Sequence, residues 1–233
     1  MAPEDRYLTL LTSLPAHGPL FRSRQTPLSR LRLERRLDWL APEDAEDLAR
    51  LAAVIDWHDQ RFDVDDEDLV RAAQAGMDEF HNDFARDFAT WRLELRTVVA
   101  ALRRRRAGET APSARRSWGF GRWVPHISRH WGDPHFRLAR VYPWLPEAKQ
   151  RMDDGDPLGL ERLLLGVVWE YLERVGAGHA FDFEAVVVYV MRWDLIARLT
   201  SYDAAAAVRR FDRLLDAAVA GVSVDDAMAA ALA

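Results

Sequence analysis

The sequence predicts an all-α protein: a multi-helix bundle with one very long helix and a short extended N-terminal arm. Two observations carry that prediction. Apolar residues recur at steps of three and four along much of the chain, the spacing of a helix face. Capping residues, first-turn prolines and terminal glycines punctuate those stripes where helices would start and stop.

The first segment, Tyr7 to Pro15, is short, apolar and tolerant of an extended backbone, and Pro15, Gly18 and Pro19 stop it. With no second strand to pair with, it reads as an arm or short edge. Thr26-Pro27 then places a capping residue before a first-turn proline, and Leu28, Leu31, Leu37 and Leu40 share a face. Pro42 opens the next helix. Glu43, Asp44, Glu46 and Asp47 complement its dipole, and Leu48, Leu51, Ala52 and Ile55 form its buried stripe.

The longest pattern follows. Asp65 caps a helix whose first turn holds Asp66, Glu67 and Asp68. Its stripe runs Leu69, Ala73, Met77, Phe80, Phe84, Phe88, Trp91, Leu95, Val98 and Leu102. One unbroken helix of that extent would be about 55 Å long. Arg103 to Arg106 put positive charge at its negative end. From Ala107 to Trp131 the periodicity vanishes, so residues 107–131 read as a loop or linker between two helical halves, 1–106 and 132–233.

In the second half, Asp156-Pro157 opens a helix carrying Leu160, Leu163, Leu164, Val167, Val168, Tyr171 and Leu172, which Gly176 and Gly178 end. Asp182 caps the next. Its β-branched run from Val186 has strand propensity, but its two-sided apolar character and length favour a buried helix. Asp203 starts another helix through Val208, Phe211, Leu214 and Leu215, ended by Gly221. Ser223 to Asp226 resembles a capping box for a small final helix.

Composition narrows the chemistry. Cysteine is absent, which removes disulfides, thiol catalysis and Cys-ligated metal. A net charge of -5 favours neither a nucleic-acid nor a membrane partner. No secretory leader and no apolar run of membrane-spanning length is present, so a cytoplasmic location is expected. No P-loop, Gly-x-Ser-x-Gly or dinucleotide fingerprint occurs, and nothing argues for an enzyme or a cofactor.

Two constellations remain. Arg103, Arg104, Arg115, Arg116 and Arg122 interleave with Trp118 and Trp123, while Asp65, Asp66 and Glu67 lie in an acidic stretch. Such opposite patches suit docking onto a protein partner. Arginine among aromatic planes also suits single-stranded nucleic acid, the alternative use of this segment. His126, His130 and His135 are the one histidine cluster. On a helix His126 and His130 would share a face fit for zinc, but Gly132 and Pro134 break the pattern and Arg129 adds repulsive charge, so solvated loop histidines are expected.

The chain also resembles a bacterial family encoded with V/A-type ATPase subunits, itself similar to the helical C (or d) subunit of those rotary machines. The residues concerned are Tyr7-Leu8 through Ser13-Leu14-Pro15, then Leu33, Arg36 and Leu37, then Pro42-Glu43-Asp44. Toward the C-terminus they are Trp169, Tyr171-Leu172, Phe181-x-Phe183-Glu184, Val187-x-Tyr189, Leu195-Ile196-x-Arg198, Asp203 and Phe211. The sequence departs from the family pattern at Arg192-Trp193, Leu199 and Ala204 to Ala207. The resemblance implies a non-catalytic subunit or assembly factor of a proton- or sodium-translocating rotary ATPase. Its implied partners are the central shaft and the membrane rotor ring, met at the cytoplasmic face of the inner membrane without a span of its own.

Overall fold

The computed structural model describes residues 3–55, 66–112 and 118–219, with side chains described for residues 6–55, 70–112 and 118–201. Among these residues the regular structure is helical and no strand occurs.

The N-terminal segment is a helix, α1 (Pro3–Thr12), rather than an extended arm. Leu10 is fully buried, and half-buried Tyr7, Leu11 and Leu14 pack on the same core, so the segment carries a helix-spaced face. The Thr12 and Ser13 hydroxyls donate to the carbonyls of Leu8 (2.7 Å) and Leu10 (2.6 Å), closing the helix end. A single 3-10 turn, Leu20–Arg22, follows. Helix α2 (Arg30–Leu37) begins later than the Thr26-Pro27 signal suggests, after Ser29. The reason is tertiary. The indole of Trp193 donates to the Leu28 carbonyl at 2.8 Å, which holds that stretch outside the helix.

Helix α3 (Pro42–Ile55) matches its signals, with Glu43 and Asp44 in its first turn. The very long helix expected from Asp65 is not formed. Its span divides into α4 (Asp66–Met77) and α5 (Asp83–Arg106). The break has a clear cause. The Asp47 carboxylate, 0% exposed on α3, accepts the backbone N–H of His81 (3.0 Å) and Asn82 (2.6 Å). Those donors are drawn away from a continuing helix, and the Asn82 side chain then caps α5 by accepting the Ala85 N–H at 3.0 Å.

Two helices lie in stretches where sequence periodicity shows none: α6 (Val124–Arg129) and α7 (Leu145–Asp153). Helix α8 (Pro157–Gly176) starts as predicted, with Asp156 accepting the Gly159 N–H at 2.8 Å. The helices expected from Asp182 and from Asp203 are one, α9 (Phe183–Val219). No breaker separates Leu199 from Ala204, and Thr200 and Ser201 keep their hydroxyls on local carbonyls. The Gly221 stop and the Ser223 to Asp226 box lie outside the described residues, as does the Asp65 cap.

Helix α3 packs on α5, α8 lies against α7 and α9, and α1 lies on α9. Buried side chains form two clusters. The first joins both ends of the chain, from Leu10 and Leu20 through Phe88 and Leu95 to Ile196 and Leu199. The second gathers Val98, Val99, Leu102, Trp118, Ile127, Phe136, Leu145 and Met152. Helix α5 runs through both.

Candidate functional site

The Arg/Trp-rich segment folds onto the second half of α5, and two polar side chains of that helix hold it there. Thr97 Oγ1 accepts the Phe120 N–H at 2.8 Å. Glu94, 4% exposed, accepts the Arg122 N–H at 3.1 Å, and the Arg122 guanidinium lies 3.4 Å from the same oxygen. The Gly119-Phe120-Gly121 sequence makes this approach possible. A Cβ on Gly119 would stand 2.6 Å from Thr97 Cγ2, and one on Gly121 would stand 2.5 Å from Glu94 Cγ. Gly121 also has φ +92°, a backbone that favours glycine.

Trp118 is 6% exposed, with its indole N–H donating to Ser128 Oγ at 3.3 Å and the Arg104 guanidinium over its ring. Trp123 is half-buried, edge-on to Tyr142 and His126, with Arg122 over it at 5.1 Å. Trp118 belongs to the second cluster and Trp123 packs against it. Burial, with Glu94 nearby, pushes the Tyr142 hydroxyl up to about 12.

The four arginines ending α5 divide by role. Arg104 approaches Glu109, and Arg105 donates to the Gly132 carbonyl at 3.3 Å. Arg103 and Arg106 line a cleft of about 600 Å³ between the end of α5 and the α7–α8 turn. Across it stands Arg151, held by Asp156 at 2.9 Å and Glu147 at 3.2 Å. Arg115 and Arg116 lie outside the described residues, and of Asp66 and Glu67 only the backbone, in α4, is described.

The structure does not assemble the three histidines into a ligand set. His126 meets the Phe136 carbonyl at 3.0 Å, and His130 meets the His126 carbonyl at 2.9 Å. Both rings are half-buried, and His126 lies in α6 with His130 at its end rather than in a loop. His135 contributes its backbone N–H to Asp133, whose carboxyl this bond and a second from Arg137 hold below the usual carboxylate range.

The ligand-type atoms that do converge, within 4.8 Å of one another, belong to His179, Asp182 and Glu184 at the start of α9. Each already serves the fold. His179 meets Asp182 at 2.7 Å, Asp182 accepts the Ala185 N–H at 2.9 Å, and Glu184 accepts from Asn82 at 2.9 Å. This joins the α5 and α9 caps to Asp47 and Arg50 on α3. Asp44, bonded by the Tyr7 hydroxyl, has its carboxyl raised by burial and by the neighbouring Asp47 and Glu184 charges. The Asp182 cap was visible in the sequence. The Asn82 contact with Glu184 was not, because it joins helices far apart in the chain.

The fold and these sites define an all-helical protein in which buried polar side chains tie helices together and an arginine-lined cleft opens on the surface. The chain belongs to the family described as protein of unknown function DUF2764, whose pattern matches residues 60–222. No curated protein and no solved structure matches it.

Proposed function

We propose that this protein is a non-catalytic helical component of a V/A-type rotary ATPase, a subunit or an assembly factor, acting by docking to the central shaft and rotor ring. One observation carries most of the support: the residues behind the family resemblance meet one another in space. Tyr189 of α9 donates to the Pro15 carbonyl at 2.9 Å. Arg36 reaches the Ser13 carbonyl at 3.2 Å, and Tyr7 bonds Asp44. Arg198, another of those residues, grips Glu161, which lies outside the set, at 2.6 Å and joins α9 to α8. A motif that knits N- and C-terminal helices into one body is what a rigid spacer between moving parts requires. No helix among the described residues is long and apolar enough to cross a membrane, which agrees with docking at its face.

Affinity purification of the tagged protein from its own cells, with and without mild detergent, tests the reading by mass spectrometry. Shaft and rotor-ring subunits in stoichiometric amounts identify a permanent subunit, and substoichiometric amounts an assembly factor. Their absence in both conditions overturns the proposal.

A further inference from the structure

The cleft at the end of α5 is built unlike the rest of the basic surface. Arg103 and Arg106 are one turn apart on the same side of α5, and neither has an ion pair among the described residues. Arg151 faces them from α7 in a fixed orientation, because Glu147 and Asp156 both hold its guanidinium. Met152 and Leu160, both buried, floor the space, and Pro157 forms part of its wall. Asp156 is the one carboxylate in the lining. Its charge is already engaged by the Gly159 N–H and Arg151, which hold its carboxyl below the usual range.

We propose that this cleft binds an organic phosphate, its phosphoryl oxygens on Arg103, Arg106 and Arg151 and its organic body over Met152, Pro157 and Leu160. Arg151 is balanced by Glu147 and Asp156, but Arg103 and Arg106 add their charge to the cleft without a carboxylate partner, so the cluster keeps a net positive charge that favours an oxyanion. Guanidinium forks fit tetrahedral oxyanions through paired N–H donors. A concavity of about 600 Å³ has the size of small-molecule sites, whereas a protein partner calls for a broader surface. The inference does not depend on the ATPase reading, and failure of the affinity purification leaves it standing.

Calorimetric titration of the full chain with ADP and with inorganic pyrophosphate tests it. A parallel arm uses phosphatidylcholine vesicles with and without phosphatidic acid, read by co-sedimentation. Saturable 1:1 binding of either soluble probe supports a soluble ligand, and binding confined to phosphatidic acid vesicles assigns the phosphate to a lipid headgroup. In either case Arg103→Ala/Arg106→Ala weakens binding roughly tenfold or more, while Arg30→Ala, which removes an exposed pair with Glu34, leaves it unchanged. Arg103→Lys/Arg106→Lys retains charge without the fork and falls between the two. Circular dichroism verifies that each variant is folded. Affinity rises from pH 5.5 to 7.5 as the phosphate gains its second charge near pH 6. The proposal is overturned if neither probe nor vesicle binds saturably, or if the double alanine variant binds as tightly as the parent.

Discussion

His17 places an imidazole where a charge is unwelcome. Its Nε2 is buried without a hydrogen-bond partner, and its ring lies 4.1 Å from that of Tyr189 and edge-on to Trp169. Burial, with the nearby Arg192 charge, lowers its pKa from the ordinary 6.5 to about 4. In the unfolded chain the ring takes a proton below pH 6.5, and in the folded protein only near pH 4. Between those values the unfolded state binds more protons, so this contribution to stability is lost as pH falls through the window. Such a shift is worth about 3 kcal/mol for an enclosed ring, and roughly 1–2 kcal/mol for one that solvent partly screens. Asp44 acts with the opposite sign, because its raised carboxyl makes the native state the better proton binder just above the ordinary carboxyl pKa. Comparison with His17→Phe, which keeps an aromatic ring against Tyr189, isolates the histidine term. Urea midpoints measured from pH 7 to 4.5 fall more steeply for the parent than for the variant. Parallel curves would show that His17 does not stay neutral in the fold.

At the scale of elements, most helices were legible because caps and stripes are local. The starts of α3 and α8 stand in the sequence as Pro42 and Asp156-Pro157. The two clearest departures arise where distant residues overrule local pattern. The apolar stripe through Met77, Phe80 and Phe84 continues across the α4–α5 break, so periodicity alone cannot reveal it. The break is made by Asp47, thirty-four residues before His81. Similarly, α1 looked extended because Thr, Leu and Pro15 tolerate that backbone, and its packing on α9 decides for helix. Asp47→Ala would take from the His81 and Asn82 N–H groups the buried carboxylate that accepts them and remove a partner of Arg50. We expect a loss of about 2–3 kcal/mol in urea unfolding, because several hydrogen bonds to a charged acceptor are lost at once but the donors left behind are partly open to water. Asp83→Ala removes an exposed pair with Arg86 and shifts stability by no more than about 0.5 kcal/mol. A loss under about 1 kcal/mol for Asp47→Ala would mean that the α4–α5 break is held by something else.

Across the whole molecule, α5 is the shared member of both cores. Phe88, Leu93 and Leu95 belong to the first cluster and Val98, Val99 and Leu102 to the second, while half-buried Trp144 packs against both. This also explains which parts of the cleft the sequence made visible. Arg103 stood out in its arginine run and Asp156 as a helix cap, but nothing tied Asp156 or Arg151 to Arg103, because only the packing of α7 and α8 brings them beside the end of α5. A helix passing without interruption through two cores couples their unfolding, since neither can lose α5 without exposing the other's apolar face. Leu10→Ala in the first cluster and Leu102→Ala in the second each remove a buried leucine, at about 2–5 kcal/mol. If the cores are coupled, each variant lowers one common urea midpoint, identical by far-UV and near-UV circular dichroism. If they fold separately, Leu102→Ala splits the curve: the part reporting α6 and α7 melts early while α1, α8 and α9 hold. Two transitions of that kind would show that α5 joins two independent units rather than unifying one.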